Sequence, residues 1–256
     1  MLRVLYSDLR RAMIDRNVKT GVVISIAYPI ILFIVYLIIY RIADLGMAVS
    51  GDEVISLYVG VSPFVLSAII TGFVSQEYTD GIIRNKIATG STRKAVFSSI
   101  TATSAGIAAV LSAISSAVIM LIVLFFTPGF QNYTSREIGD YLLTMTFAEM
   151  SIAIFSAMLV MAFGNYKIAL AHPLAIAFLM KVLTSIVADK LRPDNGPCLL
   201  TGTRLQVYSF IDKYIPYSYI DRPSPYGFFT LVTGVLGLTV FSMIVGLLIF
   251  NKKDIV

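Results

Sequence analysis

Six apolar runs, each long enough to cross a bilayer as a helix, dominate this chain and leave it few ways to fold. They occupy 21–40, 54–74, 97–126, 141–163, 168–187 and 227–250. A hydrocarbon core of about 30 Å needs roughly 20 apolar residues of helix, because each residue advances about 1.5 Å. The runs are continuous, which argues against a membrane barrel, whose strands alternate over segments of about 10 residues. The expected fold class is all-α: a polytopic membrane protein with six transmembrane helices. Of the 256 residues 57% are apolar and 14% charged, against about 25% charged in soluble domains. No large soluble domain is left over, and 1–256 reads as a single transmembrane domain.

Residues 1–20 are charged and mixed, and the first apolar run is full length with no small-residue cleavage site, so no removable signal is expected. Leu2, Leu5, Tyr6, Leu9 and Met13 recur at helical spacing, while Arg3, Ser7, Arg10 and Arg11 gather elsewhere. That is the pattern of an amphipathic helix lying in the interface. Lys and Arg are retained on the cytoplasmic side. Arg3, Arg10, Arg11, Arg16, Lys19, Arg84, Lys86, Arg93, Lys94, Lys167, Lys252 and Lys253 therefore place both termini inside, and the outer cations are largely matched by carboxylates. The net charge of +5 is accounted for by this orientation and by contact with anionic lipid, not by nucleic acid. Cys198 falls in the outer loop with no partner in the chain, which excludes an intrachain disulfide and points to a free thiol.

Between the second and third runs lies a short charged loop, 76–94. Glu77 and Asp80 precede Ile82 and Ile83, then come Arg84 and Lys86, and Gly90 closes the run. Acid at the start and base at the end suit the helix dipole. The spacing predicts one short helix over 79–88, with Asp80–Arg84 and Ile83–Ile87 pairs at i,i+4. Gly90 serves as its C-terminal cap, and Ser91 or Thr92 caps the next helix. A helix this short is not stable alone in water, so it needs a partner surface. Upstream, Ser50 to Glu53 can cap the second span, whose Tyr58, Gly60, Ser62, Pro63, Ser67, Thr71 and Gly72 suggest a side facing protein or a pathway. In the third span Ala105, Ala109, Ala113 and Ala117, and likewise Ser104, Ala108, Ser112 and Ser116, fall four apart and read as a close-packing face.

Two charges sit inside spans, Glu149 and Lys181. Each is a few residues from the outer end of its helix, so they lie at similar depth and can pair. Ionisable groups within a membrane are costly and raise a functional hypothesis; a structural ion pair and snorkelling of Lys181 are the competing explanations. His172 stands near the cytoplasmic end of the fifth span as a packing residue. The outer segment 188–225 carries Pro193, Pro197, Pro216, Pro223 and Pro225. There Val207, Phe210, Ile211 and Tyr214 share a helical face, and Tyr208, Tyr217, Tyr219 and Tyr226 suit the lipid interface. No Gly-x-x-x-x-Gly-Lys-Ser/Thr phosphate loop occurs. One His and one Cys can form no His/Cys metal cluster, and the two are expected on opposite sides of the membrane, against a Cys-His nucleophile. No inverted repeat is evident.

The order of parts resembles the membrane subunits of type-2 ABC exporters. An amphipathic helix precedes six spans, and an outer helical segment precedes the sixth. The loop has the form Glu77-x-x-x-Gly81-x-x-x-x-Lys86-x-x-x-Gly90-x-x-Arg93, and the last span is followed by Lys252-Lys253-Asp254. The resemblance implies that 76–94 is a coupling helix docking on a separate cytoplasmic ATPase, which would hold ATP and Mg. Glu77, Asp80, Gly81, Arg84 and Lys86 would be its contact and anchoring residues. It further implies a second membrane subunit, as a homodimer, spans two and five along the path, and a bacterial plasma membrane. The chain itself would not be an enzyme and would need no cofactor. Apolar spans with few fixed charges favour an amphipathic or apolar cargo such as a peptide. Two alternatives stay open: a proton-coupled secondary transporter using Glu149 and His172, and a non-transporting membrane immunity protein.

Overall fold

The structure, a computed structural model, describes residues 2–42, 49–163, 166–193, 198–220 and 226–253. Asp254, Pro197, Pro223 and Pro225 lie outside the described residues. Among those described there are helices and no strand: α1 (Leu2–Ile14), α2 (Arg16–Ile42), α3 (Gly51–Thr79), α4 (Ile82–Ala88), α5 (Arg93–Phe126), α6 (Ser135–Phe163), α7 (Tyr166–Leu191), α8 (Gly202–Tyr214), a 3-10 turn (Pro216–Ile220) and α9 (Phe228–Lys252). Six of these, α2, α3, α5, α6, α7 and α9, are long and apolar enough to cross a membrane. The chain is an all-α polytopic membrane protein.

α3 and α6 form the interior of the bundle, whereas α2 and α9 are peripheral. The peripheral helices turn Ile30, Ile31, Ile34, Leu236, Phe241 and Ile244 outward, as lipid-facing surfaces do without cost. α1, α4 and the last turn of α9 share one end, the terminal end; α8 and the 3-10 turn close the other, the far end. Phe73, Phe97, Ile100, Met158 and Phe250 pack in the terminal half, and Tyr58, Ile119, Met145, Tyr217 and Tyr219 in the far half.

The caps follow the local sequence. Ser50 accepts from the Glu53 backbone while Glu53 accepts from the Ser50 backbone, a reciprocal pair that satisfies two donors at the start of α3. Asp15 accepts from the Asn17 and Val18 backbones at 2.8 and 3.2 Å and so starts α2. On α3, Tyr58, Ser62, Ser67 and Thr71 are all buried within the bundle. Of the two small-residue rows on α5, only Ser104, Ala108 and Ser112 is a packed face; Ala113 and Ala117 are exposed. Rows four apart rotate by about 40° per step at 3.6 residues per turn, so each winds round a helix of 34 residues and meets different neighbours along its length.

The far end differs from the sequence expectation. Tyr217 and Tyr219 are each 1% exposed, plugged between helices rather than placed at a lipid interface. The 3-10 turn folds them inward, and Tyr141 on α6 donates to the Ile220 carbonyl at 3.1 Å. The α8 face of Val207 and Phe210 points outward instead, while Asp212 on the opposite side is buried and paired with Arg192 at 2.6 Å.

Candidate functional site

The charged loop builds a corner at the terminal end. α3 runs to Thr79 and α4 begins at Ile82, so the short helix is one turn shorter than the spacing predicted and excludes Asp80 and Gly81. Gly81 is the reason: its φ of 66° is left-handed, a region that costs other residues about 1–2 kcal/mol, and it reverses the chain between the helices. A β-carbon there would meet open space, with only the Arg84 guanidinium at 4.0 Å. Gly81→Ala should therefore fold and lower Tm by about 2–5 °C through backbone strain alone, measurable by thermal unfolding in detergent. α4 ends as its sequence requires. Gly90 has φ 92°, its N–H bonds the Ile87 carbonyl, and the Ser91 N–H bonds the Lys86 carbonyl, both at 3.0 Å, a Schellman arrangement. The Thr92 hydroxyl then caps α5 by accepting from Ala95.

Ile83 is buried and Ile87 partly buried against the terminal core, which sets the rotation of α4 and aims Lys86 inward. There it meets a set of polar and charged side chains from three other helices. Glu77 of α3 is fully buried and accepts a short charge-assisted bond from Arg11 of α1. Lys86 reaches Glu77 at 2.7 Å and Asp8 of α1 at 2.5 Å, the latter an ion contact without hydrogen-bond alignment. Ser99 of α5 donates to the other Asp8 oxygen at 2.5 Å. Two acids and two bases thus form a neutral quartet joining α1, α3, α4 and α5. Arg11 also lies over the Phe73 ring, 5.9 Å from its centroid. Neutrality matters because each buried charge carries a desolvation penalty that only good pairing offsets.

Further bonds tie the corner to the end of the chain. Arg93 donates to the carbonyls of Phe250, Asn251 and Lys253 at 3.2, 3.0 and 2.6 Å, capping α9. Lys253 donates to the Met161 and Ala162 carbonyls at 3.0 and 3.1 Å, and Tyr78 donates to Met161 at 2.9 Å, capping α6. Burial draws the Lys253 ammonium below the ordinary lysine range.

The residues singled out in the loop therefore separate. Glu77 and Lys86 are internal anchors. Asp80 is exposed and lies 3.8 Å from Arg11, so the predicted Asp80–Arg84 pair is replaced by a longer contact to α1, because Asp80 sits before the Gly81 reversal rather than on α4. Arg84 is exposed, as are Asn85, Ala88 and Thr89.

Glu149 and Lys181 are not brought together. Glu149 faces α2, α3 and α5 in a small cavity with Ser25, Tyr28, Tyr58, Ser62, Ser112 and Ser115, and Lys181 is not among its lining residues. Similar depth does not fix rotation about two helix axes. His172 stacks on Phe163, centroids 4.1 Å apart, about 20 Å along α6 from Glu149 at 1.5 Å per residue. At that separation no proton passes directly from one to the other.

Sequence reading missed Asp8 and Ser99. The signal was present in α1: Asp8 is the one acid among Arg3, Arg10 and Arg11, and with Ala12 it marks a face that is buried while Leu2, Tyr6 and Met13 stay exposed. Among the described residues no group of three or more His, Cys, Asp or Glu could hold a metal ion. The architecture and the anchored corner define a polytopic helical membrane protein, and no protein-family model and no curated protein matches the chain significantly.

Proposed function

We propose that this chain is the transmembrane subunit of an ATP-driven exporter. Paired with a second membrane subunit, it forms the path and receives motion through α4 from a separate cytoplasmic ATPase that binds ATP and Mg. The terminal end is then the cytoplasmic end, in keeping with its excess of Lys and Arg. The observation that carries the reading is the two-sided character of α4. One side is locked by the buried quartet and by Ile83; the other presents Arg84, Asn85, Ala88 and Thr89 to solvent. Seven residues cannot hold a helix in water unaided, so the bundle fixes α4 in place and leaves its outer face for a partner. A push on that face passes through Lys86 to α1 and α3 without side-chain rearrangement. The cargo most compatible with these apolar spans is an amphipathic peptide or other apolar compound.

Reversal of the exposed charge tests this. Arg84→Glu should leave Tm unchanged while reducing recovery of the ATPase in co-purification on the order of tenfold, as loss of one interface anchor of about 1.4 kcal/mol does. Transport by the purified chain on a proton gradient with no ATPase present would overturn the reading, as would an unchanged complex in the variant.

A further inference from the structure

The cavity around Glu149 has a polarity that its residues do not neutralise among themselves. Glu149 is 2% exposed, takes part in none of the ion pairs of the described residues, and its Oε1 has no hydrogen-bond partner. The Ser62 and Ser112 hydroxyls approach the carboxylate, while others around it are directed elsewhere. Ser115 donates to the Ser25 carbonyl at 3.1 Å, and Tyr28 donates to the Tyr58 carbonyl at 2.6 Å. Thr146 donates to the Leu142 carbonyl at 2.9 Å, and the Ser112 and Thr146 hydroxyls lie 3.0 Å apart, either able to donate. Ser62 leans toward the Val59 carbonyl at 3.5 Å. The Ser25 and Tyr58 hydroxyls, also in the lining, have no fixed direction. What faces the cavity is a buried carboxylate with one unanswered oxygen, ringed by hydroxyl oxygens.

We propose that this cavity is a binding site for a single small monovalent cation, sodium, held by Glu149 with the Ser62, Ser112 and Ser115 oxygens. The volume is about 20 Å3, room for one water-sized particle. One carboxylate balances one positive charge, whereas a divalent ion would leave an excess charge buried in the bundle. An anion is disfavoured by the like charge of the Glu149 carboxylate. Oxygen ligands are the chemistry that hard cations take, and an uncompensated carboxylate at this depth would cost several kcal/mol. The cation joins α2, α3, α5 and α6 at a point remote from the α4 corner, so the inference stands independently of the exporter reading.

The experiment is thermal unfolding of the full chain in detergent at fixed ionic strength, with sodium chloride replacing choline chloride, together with retention of radioactive sodium. The wild type should gain about 5 °C at saturating sodium and retain one ion per chain. Glu149→Gln should show neither effect. Should Glu149→Gln fail to fold, Ser115→Ala and Ser112→Ala serve instead: each should shift the sodium midpoint at least threefold upward. A wild-type Tm equal in sodium and choline, or sodium retention equal in wild type and Glu149→Gln, would overturn the proposal and leave a protonated acid as the occupant of the site. Loss of ATPase recovery in Arg84→Glu with the sodium effect intact would separate this site from the coupling corner.

Discussion

Substitution of Glu77 by alanine should lower stability by about 2–4 kcal/mol and Tm by roughly 6–12 °C in detergent. The carboxylate is fully buried, and its removal leaves Arg11 and Lys86 facing Asp8 with one positive charge in excess. Breaking a buried ionic group by removing one member costs about 3–5 kcal/mol. The lower figure is expected here because the Arg11 and Lys86 side chains keep 20% and 13% of their exposure and can draw in water. Removing the charge balance rather than the carboxylate alone should be milder. The double variant Glu77→Ala, Lys86→Met should therefore lose less than the sum of the two single changes by at least about 0.5 kcal/mol. Additive losses would mean that the two groups do not act as a unit.

The second large effect is expected at Gly234 of α9. A β-carbon there would collide with the Tyr219 hydroxyl and the Tyr214 carbonyl oxygen, and would lie 2.9 Å from the Tyr214 carbonyl carbon. The obstacle includes backbone at the end of α8, which cannot swing aside as a side chain can. Alanine favours a helix over glycine by about 1 kcal/mol, but forcing atoms into a packed contact costs typically 1–3 kcal/mol and more where backbone must move. Packing should win. Gly234→Ala should lower Tm by about 4–8 °C, with the loss seen as earlier proteolysis within 202–220. By contrast Gly237, three residues on, has nothing within 4 Å of such a carbon, and Gly237→Ala should keep or raise Tm.

Much of the architecture was legible because membranes impose simple rules. The six runs at 21–40 through 227–250 each lie within one long helix or begin at its cap, and the signals at Ser50, Gly90 and Thr92 were read from side-chain and φ preferences that act locally. What was not legible depends on rotation and on distant chain. Length and depth placed Glu149 and Lys181 level with each other, yet nothing in either helix says which way each turns. Asp80 was assigned to α4 because acid at a helix start is favourable, but the left-handed Gly81 acts one residue later and cuts the helix there. Asp8 passed unnoticed since its partners, Lys86 and Ser99, are 78 and 91 residues away. Tyr217 and Tyr219 followed a compositional rule for interfaces that a tucked 3-10 turn overrides.

The contacts of Arg93 and Lys253 bear on how the molecule is made. Arg93 sits at the start of α5, but the carbonyls it caps belong to 250–253, and Lys253 in turn covers the carbonyl end of α6. Tyr78 can answer the Met161 carbonyl on its own, but Arg93 and the Ala162 carbonyl gain these partners only once α9 has been threaded into the bilayer. Completion of the terminal end is thus coupled to insertion of the sixth span. A nascent bundle of five spans has, at that end, Arg93 without its carbonyl partners and the Ala162 carbonyl without Lys253.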